Sequence, residues 1–338
     1  MKISLKPLKQ QVIVITGASS GIGLATAREA ARRGARLVLA SRNKPALDAL
    51  VEELKGKGAE AIAVQADVGV QQDHQKIVDA AMTTYGGFET WVNNAGVSIF
   101  GKLDEVAVED QRQLFETNFW GVVYGSLAAL GHLKQMGGAL INVGSEVSDR
   151  AVPLQGVYSA SKHAVKGYTD ALRMEVEADG APVSVTLIKP ASIDTAFVEH
   201  AKNYLDVEPQ LPPPIYSPQA VAEAILYAAE HPMRDVFVGS ASKAISSFGQ
   251  SMPGMADKVL GSTLIRAQRS NKPAGPRHDA LWDAGEDSDR KTYTDRHVRS
   301  SSLYTELNTR WRGLMWAGAG IAAALALLQG MPRQRARR

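Results

Sequence analysis

Between Gln11 and about Gly239 the chain alternates short β-branched runs with longer helical patterns, and few folds accommodate that alternation. Gln11 to Thr16, Arg36 to Ser41, Ala61 to Gln65, Thr90 to Asn93, Ala139 to Val143, Val183 to Ile188 and Asp235 to Val238 read as strands. The segments between them, such as Ile22 to Arg33, Pro45 to Lys57 and Asp73 to Tyr85, carry Ala, Leu, Glu and Lys at helical spacing. Several strands are nearly continuous apolar runs, as required when helices cover both faces of a parallel sheet. The pattern predicts an α/β fold with a doubly wound parallel sheet.

The first strand runs into Thr16-Gly17-Ala18-Ser19-Ser20-Gly21-Ile22-Gly23, which opens the first helix. A plain strand-to-helix turn would also fit. Glycines at this point of a βαβ unit, however, let the backbone turn tightly and approach a pyrophosphate, which sits against the amides and positive dipole of the helix N-terminus. Two further motifs follow in order: Asn93-Asn94-Ala95-Gly96 after the fourth strand, and Tyr158-Ser159-Ala160-Ser161-Lys162.

With these three motifs, residues 8–240 resemble the short-chain dehydrogenase/reductase family. The resemblance implies a Rossmann fold of about seven strands and a nicotinamide dinucleotide held by Gly17, Ser19, Ser20, Gly21, Ile22 and Gly23. It also implies that Asp67 and Val68 contact the adenine and that Asn94, Ala95 and Gly96 wall its ribose. Taken alone, Asp67 reads as a helix cap. Pro190 opens a segment resembling the family's Pro-Gly stretch beside the nicotinamide, with Ala191 in place of the usual glycine. There the resemblance puts the Ile193 backbone and the Thr195 hydroxyl on the carboxamide.

The end of the second strand separates NADH from NADPH, because a carboxylate there would bond the ribose 2′-hydroxyl and repel a 2′-phosphate. Here the strand ends Leu39-Ala40-Ser41-Arg42-Asn43, without an acid. Arg42 offers a charged fork and Ser41 a further donor, so the expected cofactor is NADP(H).

Tyr158 and Lys162 stand four apart, on one face of a helix. An adjacent ammonium and a positive nicotinamide are expected to lower the phenol's pKa toward the working range, letting Tyr158 act as acid or base. Lys162 would also hold the nicotinamide ribose. Ser145 follows the fifth strand, where its hydroxyl can polarise a carbonyl. Asn118 matches the family's helix asparagine that anchors a water leading to the lysine. Alone, Ser145 would be a loop serine and Asn118 a helix residue paired with backbone.

These residues predict an oxidoreductase acting on a small-molecule carbonyl/alcohol pair; a non-catalytic nucleotide-binding scaffold is the rival. No metal is expected, since the lone histidines, His132 and His163 among them, lack ligand spacing and hydride transfer needs none. The chain has no cysteine and a formal charge of only +3, which argues against thiolate chemistry and nucleic acid. Val147, Val152, Leu154, Phe197, Val198 and Ile215 predict an apolar pocket for a lipophilic ketone or alcohol, such as a steroid, retinoid or fatty acyl derivative, with 196–216 as a lid.

Beyond the catalytic domain, 241–310 reads as a polar, partly irregular connector without a sustained helix or strand period, 311–330 as an apolar helix and 331–338 as a basic tail. A helix over Gly313 to Gly330 would span about 27 Å, near a bilayer core. Membrane contact through 313–330 is therefore expected, with packing on the body or a neighbouring subunit as the alternative. The N-terminus lacks a secretory h-region, so a cytoplasmic catalytic domain attached to a membrane is expected. The resemblance implies a homodimer or homotetramer, paired through the helix bearing Tyr158 and the one before Ser145.

Overall fold

The computed structural model describes residues 3–239, 251–285 and 298–299. Its centre is a seven-stranded, wholly parallel sheet. In chain order the strands are β1 (Val12–Thr16), β2 (Arg36–Ser41), β3 (Ala61–Gln65), β4 (Thr90–Asn93), β5 (Gly138–Val143), β6 (Val183–Pro190) and β7 (Asp235–Val238). They lie side by side as 3-2-1-4-5-6-7. The order reverses between β1 and β4, and a crevice opens there at the strands' carboxyl ends.

Period-two alternation sorts the core. Ile13 and Ile15 of β1 face one layer, while Val12 and Val14 face the other. The first layer is α1 (Gly21–Arg32), α2 (Lys44–Gly56) and α7 (Pro218–Glu230). The second holds α3 (Gln71–Tyr85), α5 (Gly121–Met136) and α6 (Gly156–Ala178). Each fully buried branched side chain contributes about 1.5–3 kcal/mol, so covering both faces holds the sheet together.

Local signals set the ends of these helices. Asn43 caps α2 by accepting from Ala46 N at 3.1 Å, and Gly86, with φ 77°, ends α3 in the left-handed region. Helix α4 (Val108–Phe115) continues into α5 through a π-helical turn, Glu116–Trp120. Such a wide turn rotates the side chains that follow and often marks a functional site.

A buried polar network binds the middle of the sheet to the second layer. Trp91 Nε1 donates to Asn93 Oδ1 (2.8 Å), Asn93 Nδ2 donates to Asn142 Oδ1 (2.9 Å) and Ser126 Oγ (3.2 Å), and Asn142 Nδ2 donates to Thr169 Oγ1 (2.9 Å). Helix α5 approaches closely because Gly125 has no side chain.

The C-terminal region departs from the expected connector. Within 241–310, helix α8 (Pro253–Ala267) leads into a strand, Arg269–Pro273, which pairs antiparallel with Val207–Pro209. The helix is legible only in Pro253 at its start, because its large apolar residues Met255, Val259 and Ile265 are exposed and show no buried stripe.

Membrane contact is also corrected. Among the described residues no helix is long and apolar enough to cross a membrane. The longest, α6, carries charge along its length, and the expected span 313–330 lies outside the described residues, as does 331–338. Neither membrane attachment nor a localisation built on it has support among the described residues.

An alanine Cβ at position 125 would stand 2.1 Å from Asn93 Oδ1. Gly125→Ala must therefore break the network or push α5 off the sheet, and is expected to cost about 3 kcal/mol in urea unfolding. A loss below about 0.5 kcal/mol contradicts this packing.

Candidate active site

The crevice at the β1/β4 switch is one continuous cleft of about 2040 Å³, including its open mouth. Gly17, Ser19, Ser20, Gly21, Ile22, Ser41, Arg42, Asp67, Val68, Asn94, Ala95, Gly96, Pro190, Ile193 and Thr195 line it, together with Ser145, Tyr158 and Lys162. Gly23 and Asn118 are not on its wall.

The glycine turn is held by the strand beside it. Thr16 Oγ1 accepts from Asn94 N (3.0 Å) and Ala95 N (3.2 Å), while Asn94 Nδ2 donates to the carbonyls of Thr16 (2.9 Å) and Gly17 (3.1 Å). Gly17 has φ 63°, and a Cβ on it would meet Ala95 Cα at 2.8 Å. A Cβ on Gly23 would lie 2.0 Å from Gly17 O. Gly23 therefore acts behind the wall, letting α1 sit against its own turn with its N-terminal amides toward the cleft. Asp67 lines the cleft, and its Oδ1 accepts from Gly69 N at 2.8 Å within the loop before α3; the cap position of that helix is Val70, so Asp67 is not its cap.

Ser145, Tyr158 and Lys162 come together at the other end. Ser145 starts a short 3₁₀ turn, Glu146–Ser148, and its Oγ accepts from Val147 N at 3.3 Å. Its side chain shares the cleft wall with Tyr158, near enough to oppose the rise in the phenol's pKa. Lys162, one turn further along α6, donates to Val143 O at 2.9 Å, and its Nζ lies 5.7 Å from the Tyr158 ring centroid. Asn118 sits in the π-helical turn, fully buried, where Oδ1 accepts from Val97 N (2.8 Å) and Nδ2 donates to Val97 O (2.9 Å) and Ser161 Oγ (3.2 Å). Asn118 and Lys162 both approach Gly96, where a Cβ would lie 3.3 Å from Asn118 Oδ1 and 3.7 Å from Lys162 Nζ.

Burial governs the titration of the pair. It raises the Tyr158 phenol above its ordinary value, with the Ser145 side chain opposing and Glu146 adding to the rise. It lowers Lys162 to about 8. Desolvation raises the phenol while the lysine's hydrogen bond goes to Val143; the expected lowering rests on the ammonium together with a positive nicotinamide. A phenol that stays protonated at neutral pH is suited to donating a proton.

The apolar end differs in part from expectation. Val147, Val152 and Phe197 line the cleft with Leu211–Pro214, but Leu154, Val198 and Ile215 are packed into cores. Three features of the site carry no local sequence signal. Asp149, at the end of the Ser145 turn, pairs with Lys189 of β6 at 3.0 Å, both side chains only 3% exposed. Gln155, also on the wall, donates to Ser98 Oγ at 3.2 Å. From the C-terminal region, Leu264, Gln268, Ala280, Ala284 and Gly285 reach the cleft. Among the described residues no His, Asp or Glu cluster has the arrangement of a metal site.

A 3-2-1-4-5-6-7 parallel sheet with its cleft at the switch point defines a Rossmann-type α/β protein. The sequence model of the family described as short chain dehydrogenase matches residues 11–205. An uncharacterized oxidoreductase of Bacillus subtilis (strain 168), YxnA, is 50% identical over 313 residues, spanning 91% of this chain and 88% of that one. The structure is similar to an alcohol dehydrogenase from the archaeon Thermococcus sibiricus complexed with 5-hydroxy-NADP (TM-score 0.60, 28% identity, 68% of this chain and 95% of that chain). It is also similar to a short chain dehydrogenase/reductase from Burkholderia phymatum in complex with NAD (TM-score 0.66, 27% identity, 81% of this chain and 100% of that chain). This chain belongs to the short chain dehydrogenase family and is a redox enzyme of the hydride-transferring kind.

Between about pH 8 and 10.5 the unfolded chain keeps a proton on Lys162 that the folded chain has released, so this group favours folding increasingly as pH rises through that window. Below it, the buried ammonium is a net cost. The stability of Lys162→Met relative to wild type, measured by urea unfolding, should therefore be greatest near neutral pH and fall as pH rises past about 8. A pH-independent difference contradicts the burial of the charge.

Proposed function

We propose that the protein interconverts a carbonyl and an alcohol with NADP(H), Tyr158 serving as acid and base. The observation that carries this reading is the convergence of Ser145, Tyr158 and Lys162 on one wall of a cleft whose other end is a glycine turn at a helix N-terminus. The turn fits a dinucleotide, because Gly17 and Gly23, where a Cβ would meet Ala95 and the Gly17 carbonyl, let α1 begin at the cleft wall and offer its N-terminus to a pyrophosphate. When bound, the dinucleotide supplies or accepts the hydride.

In the reducing direction Ser145 orients the substrate carbonyl, and Tyr158 gives its phenolic proton to the oxygen as charge develops there. Lys162 then stabilises the phenolate and holds the nicotinamide ribose, while Asn118 stands with the lysine beside Gly96. At the nucleotide end, Asp67 and Val68 flank the adenine and Asn94, Ala95 and Gly96 its ribose. Pro190, Ile193 and Thr195 flank the nicotinamide.

Arg42 and Ser41 favour the 2′-phosphate, since no carboxylate ends β2. Val147, Val152 and Phe197 favour a lipophilic ketone or secondary alcohol. Both the acid-base pair and the apolar end support catalysis over a nucleotide-binding scaffold. The family resemblance favours pairing of copies through α5 and α6, on which Leu127 and Met174 are exposed.

Fluorescence titration with NADPH and NADH tests the cofactor. Wild type should bind NADPH at least about tenfold more tightly, and Arg42→Ala should bring NADPH close to the NADH value, a loss of about 1.4 kcal/mol or more. Equal affinities in wild type contradict the assignment. In a ketone screen, Tyr158→Phe should lower kcat by about a hundredfold or more while leaving NADPH binding largely intact. A variant retaining most of its activity removes Tyr158 from the chemistry.

A further inference from the structure

Segment 279–285 crosses the cleft from one bank to the other. On the nucleotide bank, Arg42 Nη1 donates to Trp282 O (3.1 Å) and Nη2 to Ala280 O (2.5 Å), while Asn43 Nδ2 donates to Gly285 O (3.3 Å). On the opposite bank, Ala280 N donates to His200 O (2.8 Å), Trp282 Nε1 to Asp110 Oδ1 (2.7 Å) and Gln113 Nε2 to Leu281 O (3.4 Å). Leu281 between them is fully buried, in the cluster that contains Val97, Val147 and Tyr158. Ala280, Ala284 and Gly285 form part of the cleft wall.

An irregular stretch so anchored has lost much chain entropy, and hydrogen bonds shared between two banks are lost when either bank moves. The Arg42 fork donates to two strap carbonyls and still carries further N–H groups for an anion. Leu281 connects the same stretch to the cluster around Tyr158.

We propose that 279–285 is a clasp that orients Arg42 toward the 2′-phosphate and closes over the bound dinucleotide, setting both the choice and the residence time of the cofactor. This rests on the reading of the cleft as an NADP(H) site. The clasp opens to admit the cofactor, and its closure completes the apolar end where the substrate sits. Cofactor release is thereby slowed by a segment outside the region matched by the family, residues 11–205.

The full chain has no cysteine, so a pair introduced at opposite ends of the Asn43–Gly285 contact is the only thiol pair present. Asn43→Cys/Gly285→Cys loaded with NADPH and oxidised should release it at least about tenfold more slowly than the same protein after reduction, followed by fluorescence during a chase with excess NADP⁺. Because both states carry the same substitutions, loss of the Asn43 cap affects them equally. Leu281→Ser, which needs no cross-link, should release NADPH about tenfold faster than wild type and NADH by a smaller factor. Equal release from the oxidised and reduced pair, or a Leu281→Ser protein with wild-type NADPH release or an equal acceleration for both cofactors, overturns the clasp. If the cross-link does not form, Leu281→Ser alone decides. Wild type that binds neither dinucleotide overturns the cofactor reading itself, and the clasp with it; cofactor binding that ignores the strap overturns only the clasp.

Discussion

Everything at this site depends on a backbone-to-backbone approach that no side chain can enter. The turn after β1 packs on the end of β4, with Gly17 against Ala95 and Gly23 against the carbonyl of Gly17. Asn94 and Thr16 fasten the two strands at that point. The approach keeps α1 close to the sheet, so its N-terminal amides face the crevice created where the strand order reverses. Gly96 repeats the device two residues further on, leaving room for both Asn118 and Lys162 beside it.

The opposite end of the cleft is dominated by desolvation. Tyr158 and Lys162 are both driven toward their neutral forms, and the only hydrogen bond described for the lysine Nζ is to the Val143 carbonyl. A strained electrostatic arrangement of this kind lowers stability in the resting protein but leaves the phenol protonated beside Ser145. The groups around it are rigidly placed. The π-helical turn aims Asn118 at Val97, and the buried Asp149–Lys189 pair ties the far end of the Ser145 turn to β6, next to Pro190. Lys189 also faces Asp235 at 3.6 Å and the Phe237 ring centroid at 4.1 Å, so the pair belongs to a wider cluster around the buried ammonium.

The chain beyond β7 adds a third layer of control. Helix α8 and the strand after it bring Leu264 and Gln268 to the cleft, and the stretch that follows crosses it. Arg150 pairs with Asp257 of α8, and Arg269 with Asp206, holding these elements to the body through largely surface contacts. Such contacts are weak one by one, so the fit of this region depends on buried Leu281 and Gln268 more than on its charges.

The sequence by itself determined the sheet: all seven strands lie within a residue or two of their expected ranges, because apolar β-branched runs and helical periods are local signals. It also determined the glycine turn, since only certain residues tolerate such close backbone contact, and the placement of Tyr158 and Lys162 on one helical face. Tertiary structure alone decided that Gly23 and Asn118 stand behind the cleft wall, that Leu154, Val198 and Ile215 are core, and that burial raises the Tyr158 phenol. It alone brought Asp149 to Lys189, and Ala280 and Trp282 to Arg42, across 40 and about 240 positions respectively. Desolvation and long-range pairing depend on what the rest of the chain places around a group, and no window of neighbouring residues contains that information.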